Sequence, residues 1–317
     1  MQKSASLGHR RLPKFISDFA LYKTHWALCV MALPAIVYFI IFKYVPMAGI
    51  TMAFKDFKIG MGIWNSPWVG MKYFESAFRS PFFLRSVSNT IIISALQIVI
   101  GFPMPIIFAL LLNEVRNMRE KKVIQTVSYL PHFISWVVFA GILNRLLSPT
   151  NGAINTILVN VFNLEKPIYF LGDNDYFRGT LVATAIWKEI GWGSVLYIAA
   201  ISGISTEQYE AAICDGANRW QRCMYITLPS LLPTITIMLI LRVGSIMDAG
   251  FDQVFNMYNP AVYKTGDIID TFVYRKGIGN MEYSFSTAVG LFKNVIGFVL
   301  VVGTNFIAKK LSGNGIW

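Results

Sequence analysis

The sequence predicts an all-α, polytopic membrane protein with six transmembrane helices. Three observations carry this reading. Of 317 residues, 55% are hydrophobic and only 14% charged, where an ordinary soluble domain carries about 25% charge. Mean hydropathy is positive, +0.51. Apolar windows as long as the roughly 18 residues of a membrane span recur along the chain, separated by polar segments.

The first window covers residues 26–49. A basic leader precedes it, as in a secretory signal, but the apolar run outlasts the roughly 7 to 15 residues of a signal core and no small-residue cleavage site follows. The remaining windows cover 87–112, 123–147, 180–201, 231–250 and 285–308. Pro34, Pro46, Pro103, Pro105 and Pro131 fall inside or at the ends of windows. Kinks are expected there, not breaks, because neighbouring helices can satisfy the freed carbonyls.

Lys and Arg exceed Asp and Glu by 11. The basic residues flank the windows instead of clustering on one helix among aromatics, so they orient spans and do not read as a nucleic-acid surface. Arg10, Arg11, Lys14 and Lys23, then Arg116, Arg119, Lys121 and Lys122, then Arg219 and Arg222, then Lys309 and Lys310 fall on one side when the N-terminus is cytoplasmic. The expected organisation is a cytoplasmic segment over 1–25, a transmembrane domain over 26–308 and a cytoplasmic tail over 309–317. Both termini then lie inside a bacterial cell membrane, with lipid around the spans.

Chemistry of other classes is missing from the sequence. Cys29, Cys214 and Cys223 lack the spacing of a zinc site or disulfide framework. His9, His25 and His132 are dispersed, which gives no metal site. No Gly-rich segment ends in Gly-Lys-Ser/Thr, so the chain has no phosphate cradle of its own. No cofactor is expected on this chain, and an energy source must sit on another polypeptide.

One polar run stands among apolar sequence in the second half, EAAICDGANRWQRCMYITLP, within the loop 202–230. Ser205 followed three residues later by Gln208 has the capping-box pattern and starts a short helix near Thr206. Gly216 stops it, because glycine takes the left-handed conformation of a helix end. Asn218 starts a second short helix that is expected to end near Pro229. Two such short helices bury no core alone. They read either as an interfacial element on lipid headgroups or as a knob docking on a cytoplasmic protein.

Glu210, Ala211 and Ala212, then Gly216, then Ile226, Thr227, Leu228 and Pro229 resemble the EAA signature of binding-protein-dependent ABC importer permeases. The runs FKYVPMAGITMAFKDF, SPTNGAIN and DIIDTFVYRKGIGNMEYSFSTAVGLFKN extend the likeness to the maltose-type sugar permeases, in particular their polysaccharide and complex-oligosaccharide branch. The resemblance implies a type I importer permease fold with a cytoplasmic EAA coupling helix. It also implies a second homologous permease subunit, two ATPase subunits that hold the ATP and magnesium, an extracytoplasmic sugar-binding protein and an oligosaccharide substrate. Glu207, Glu210, Ala211, Ala212, Asp215, Gly216, Arg219, Leu228 and Pro229 become the residues expected to couple to the ATPase. An ion-coupled secondary transporter and a scaffold for polysaccharide assembly are the competing classes. Neither needs such a loop together with a wet path.

Ionisable residues within spans are costly and usually face a wet cavity or a partner. Lys188 and Glu189 fall in the fourth window, Arg242 and Asp248 in the fifth and Lys293 in the sixth. With Trp136, Trp192 and Asn294, whose flat faces and amide suit sugar rings and hydroxyls, they are the translocation-path candidates. Three cations stand against two anions in this set, a surplus that would favour an acidic cargo if the cations were unpaired. The segments 148–179 and 252–284 face outward and are expected to meet the binding protein.

Overall fold

The computed structural model describes residues 26–312, so the sequence's expectations for 1–25 and 313–317, including His9 and His25, lie outside the described residues. The chain divides into two units, 1–51 and 52–317. In the first, α1 (Trp26–Phe39) is apolar all round and continues through a π-turn (Ile40–Tyr44) into a 3-10 stretch that starts at Val45.

The second unit carries the other long helices. Helix α2 (Pro81–Leu96) runs through a π-turn (Gln97–Gly101) into α3 (Pro103–Asn113). Then come α4 (Met118–Tyr129), α5 (Trp136–Leu146) and the 29-residue α6 (Asn174–Ser202). The polar loop holds α7 (Thr206–Cys214) and α8 (Arg219–Arg222), and α8 continues through a π-turn (Cys223–Thr227) into α9 (Leu228–Gly244). Short helices α10 (Phe251–Met257) and α11 (Ile269–Tyr274) precede the long α12 (Tyr283–Ser312).

Among the described residues four helices are long and apolar enough to cross a membrane: Trp26–Phe54, Pro81–Asn113, Arg219–Gly244 and Tyr283–Lys310. Met118–Phe133 and Trp136–Leu146 pass the same test only as a pair, bent as a broken span or a re-entrant loop is, which gives four or five candidate crossings. The protein is thus an all-helical, multi-span membrane protein. Helix α6 coincides with the fourth apolar window and has ample length, but with Lys188 and Glu189 at its centre it does not join the four apolar spans.

The prolines explain how the spans bend. Three π-turns end two residues before a proline, ahead of Pro46, Pro103 and Pro229. A proline brings no N–H and its ring crowds the carbonyl four residues back. Widening the preceding turn, so that Phe102 N–H reaches Gln97 O and Leu228 N–H reaches Cys223 O, relieves that crowding and keeps the helix running. Pro131 behaves otherwise. The expected single span over 123–147 is broken there by 101°, with Ile134 extended and Ser135 capping the new helix through Val138 N–H. A fresh N-cap satisfies the donors that a kinked helix would have left open.

Helix α6 organises the second unit. It packs along α3 and against α4 and α9, and its Gly191 leaves no room for a side chain, since a Cβ there would lie 2.1 Å from the Ser128 carbonyl oxygen. The core forms three apolar clusters, two of which include residues of α6. One includes Phe177, Leu181, Val254 and Ile268; another Phe83, Phe272 and Phe285; the third Ile106, Tyr197 and Leu231.

Candidate functional site

The polar loop folds as a helix, a glycine corner and a second helix. Ser205 caps α7, but its hydroxyl accepts from Glu207 N–H at 3.2 Å, so the expected box with Gln208 is replaced by a tighter local bond. Gly216 adopts φ +79°, and the corner closes through Gly216 N–H to Ile213 O and Ala217 N–H to Ala212 O. This is the Schellman arrangement, in which only glycine avoids a Cβ penalty. Asn218 and Gln221 exchange two bonds, 2.9 and 2.8 Å, in a complete capping box at the start of α8.

The second helix does not end near Pro229. It runs into the membrane helix, because the π-turn Cys223–Thr227 absorbs the proline. Leu228 and Pro229 therefore lie inside the span. Glu207, Glu210, Ala211, Asp215, Gly216 and Arg219 are exposed together on the corner, with Ala212 half-buried. Helix α7 contains no buried residue. Arg219 lies 3.8 Å from Glu114 on the loop after α3, and the Tyr209 hydroxyl lies 2.8 Å from that of the buried Thr227.

The charges within the helices are distributed over two cavities. A cavity of about 230 Å³ is lined by Gln97, Trp136, Glu189, Arg242, Asp248 and Gln253 among others. A second, of about 590 Å³, is lined by Asp248, Asp270, Lys293 and aromatic side chains that include Phe251, Tyr274 and Tyr283. Asp248 borders both. It is not on the fifth span, as the sequence places it, because α9 ends at Gly244 and the chain turns through Ser245 toward Gly250, whose φ is +83°. Asp248 accepts from Gly250 N–H in that turn.

Partners on other elements settle each cation. Lys293 Nζ lies 2.6 Å from both oxygens of Asp270. Lys188 is buried away from the cavities, donating to the His132 carbonyl at 2.6 Å, with Glu189 at 3.5 Å and the Trp136 ring at 5.4 Å. Arg242 donates to Gln97 at 2.5 Å. His132 in turn contacts Glu189 at 2.8 Å and stacks on Trp192 at 4.7 Å. Asp270 joins the two anions named from sequence and evens the charges at three of each sign, so the surplus of one cation disappears.

Of the path candidates, Trp136, Glu189, Arg242, Asp248 and Lys293 border the cavities. Lys188 stands behind the wall, and neither Trp192 nor Asn294 borders these two cavities. The sequence reading missed Gln97, Gln253, Asp270 and His132. Gln97 had a signal, a polar residue inside an apolar window. Asp270 had none, because it comes from a short helix between spans.

The segment 252–284 carries buried, mutually bonded polar groups. Asp267 is 2% exposed at its side chain and pairs with Arg275 at 2.6 Å, while Asn89 donates to the Asp267 carbonyl at 3.0 Å and Arg178 donates to Asn89 at 2.8 Å. Burial alone would lower the Arg275 guanidinium, but the hydrogen bonds and charge of Asp267 raise it above its ordinary value.

Residues 101–312 match the family described as binding-protein-dependent transport system inner membrane component. The chain is 45% identical over 304 residues to Protein LplB of Bacillus subtilis (strain 168), covering 96% of this chain and 95% of that one. It is 42% identical over 308 residues to the polygalacturonan/rhamnogalacturonan transport system permease protein YteP of the same organism, covering 97% and 93%. Its structure matches a chain of a bacterial ABC transporter involved in the import of the acidic polysaccharide alginate, with TM-score 0.86, 40% identity and coverage of 93% and 99%. The chain belongs to the family of binding-protein-dependent transport system inner membrane components. It is the multi-pass permease of an ABC importer and not itself the ATPase.

Proposed function

We propose that this permease passes an oligosaccharide from an extracytoplasmic binding protein into the cytoplasm, pairing with a second homologous permease above two ATPase subunits. The observation that carries the coupling part is the exposed corner built from α7, Gly216 and α8, a designed shape with no core of its own. Docking on an ATPase would cover it. In this arrangement α6 is a sixth crossing, its central charges satisfied by His132 and the cavity, and both termini lie in the cytoplasm.

The relatives' names support an acidic oligosaccharide as cargo. The two cavities are lined by three carboxylates, Glu189, Asp248 and Asp270, and two cations, Arg242 and Lys293, with Lys293 neutralised by Asp270. Selection for acidic sugar is therefore assigned to the binding protein, and the path contributes aromatic faces and amides that suit any pyranose. The test is uptake into proteoliposomes containing the whole complex. ATP-dependent, binding-protein-dependent uptake of galacturonate oligosaccharides is expected, with Gly216→Val abolishing uptake while the complex still assembles. Uptake that proceeds without ATP, or is indifferent to the corner, overturns the proposal. Lys293→Gln and Arg242→Gln should depress acidic and neutral sugars alike.

A further inference from the structure

Helix α7 is flanked by glycines. Gly203 closes α6 ahead of it and Gly216 makes the corner behind it. Between these two glycines a side-chain hydrogen bond ties it to the membrane domain, the Tyr209 hydroxyl to the Thr227 hydroxyl at 2.8 Å, across 18 residues of sequence. Among the described residues no other side-chain hydrogen bond joins α7 to another helix. The remaining tie of the loop, Arg219 to Glu114 at 3.8 Å, is on α8 and solvent-exposed, where such pairs contribute little.

Thr227 occupies a special place. It is 2% exposed and closes the π-turn Cys223–Thr227, where the ladder of the span is already shifted by one residue. Its hydroxyl also approaches the Arg222 carbonyl at 3.4 Å. Either hydroxyl can donate in the Tyr209–Thr227 pair, and the one-way arrangement in which Tyr209 donates to Thr227 leaves the Thr227 proton for the Arg222 carbonyl. From Thr227 the helix continues as α9 to Arg242 on the cavity wall, 15 residues on and so about 22 Å away along the axis.

We infer that Tyr209 is a positioning residue for transport, a strut that carries displacement of the docked α7 through Thr227 into the π-turn and so to the wall of the cavity. The inference rests on the coupling reading above and names the contact that reading lacks. Glycine joints let α7 tilt with the ATPase, and a hydroxyl pair buried at the membrane surface converts that tilt into a pull on one turn of the span. Without the pair, α7 moves and the span does not follow.

The experiment uses the full complex with its binding protein in proteoliposomes and a polygalacturonate hydrolysate as probe, counting ATP hydrolysed per uronate taken up. Tyr209→Phe removes only the hydroxyl. The expected result is about a fivefold rise in ATP consumed per uronate, the change in population that one ordinary hydrogen bond controls, with assembly unchanged. Thr227→Val gives the same rise, Thr227→Ser restores wild-type coupling, and the double variant is no worse than either single one because both remove one interaction. A purely structural role would lower uptake and hydrolysis together and leave the ratio at the wild-type value. That outcome in Tyr209→Phe, or additive effects in the double variant, overturns the strut. Gly216→Val separates the two levels of the claim. If it uncouples while Tyr209→Phe does not, the strut falls and the docking corner stands; if neither changes coupling, both fall.

Discussion

The two polar segments of the second unit are built on opposite principles. The loop 202–230 fully buries no residue of its helix α7 and is tied to the bundle by the Tyr209–Thr227 hydroxyl pair on α7 and the exposed Arg219–Glu114 pair on α8. The segment 252–284 is built into the bundle's core: Ile268 packs in the cluster of Phe177 and Leu181, Ile269 and Phe272 in that of Phe83 and Phe285, Asp267 and Thr271 are bonded to each other, and Asn89 on α2 and Arg178 on α6 pin it from two long helices. Arg275 lies over the Tyr263 ring at 4.6 Å and completes the enclosure. The difference teaches what each segment is prepared for. Under the proposed function a helix with no buried residue leaves its surface open for a partner to cover, whereas a segment already packed into the bundle's core keeps a fixed shape.

The largest test of this contrast is Asp267→Ala. It strands the half-buried Arg275 and removes a bond to Thr271, and breaking a buried pair costs about 3–5 kcal/mol. Thermal unfolding in detergent should show a strongly destabilised or unassembled protein, and an unchanged melting curve would mean that the outer segment is not the rigid partner in the comparison. Gly191→Ala comes next. The new methyl meets the Ser128 backbone, and overpacking of that kind costs about 1–3 kcal/mol, visible as a lower melting temperature with α4 pushed from α6.

Gly216→Val should leave the melting temperature close to wild type, since the corner lies in solvent with open space around it. Its cost is local, about 1–2 kcal/mol for a side chain in the left-handed region, and should surface as lost uptake. A large fall in thermal stability would show that the corner carries the fold and would erase the distinction between the two segments. The smallest effect is expected from Arg219→Ala. An exposed pair at 3.8 Å contributes about 0–1 kcal/mol, so unfolding should be unaltered within error, and any loss of uptake must come from the docking surface itself.

The loop 202–230 was legible in the sequence because its signals are local. Ser205, Gly216 and Asn218 act on backbone groups within four residues of themselves, so the helix, corner and second helix start follow from spacing alone. The end of that second helix was not legible. Pro229 usually marks a boundary, but a π-turn can carry a helix past it, and whether it forms depends on packing around Thr227, which is 2% exposed and meets Tyr209 from the preceding helix. The same ambiguity separates Pro103, which the helix absorbs, from Pro131, where it breaks.

Composition and hydropathy by themselves determined that this chain is a helical membrane protein, because lipid forces every backbone polar group to be satisfied within its own segment. They also placed the apolar windows and the polar loop, which depend on runs of neighbouring residues. The tertiary structure alone decided which charges meet. Lys293 finds Asp270 from 23 residues away, Arg242 finds Gln97 from 145, and Glu189 finds His132 from 57. Such pairs are set by how bent helices cross, and the bends themselves depend on turns that only packing selects. In the low dielectric between helices the pairing decides whether a charge faces cargo or a neighbour, and no periodicity in the sequence records it.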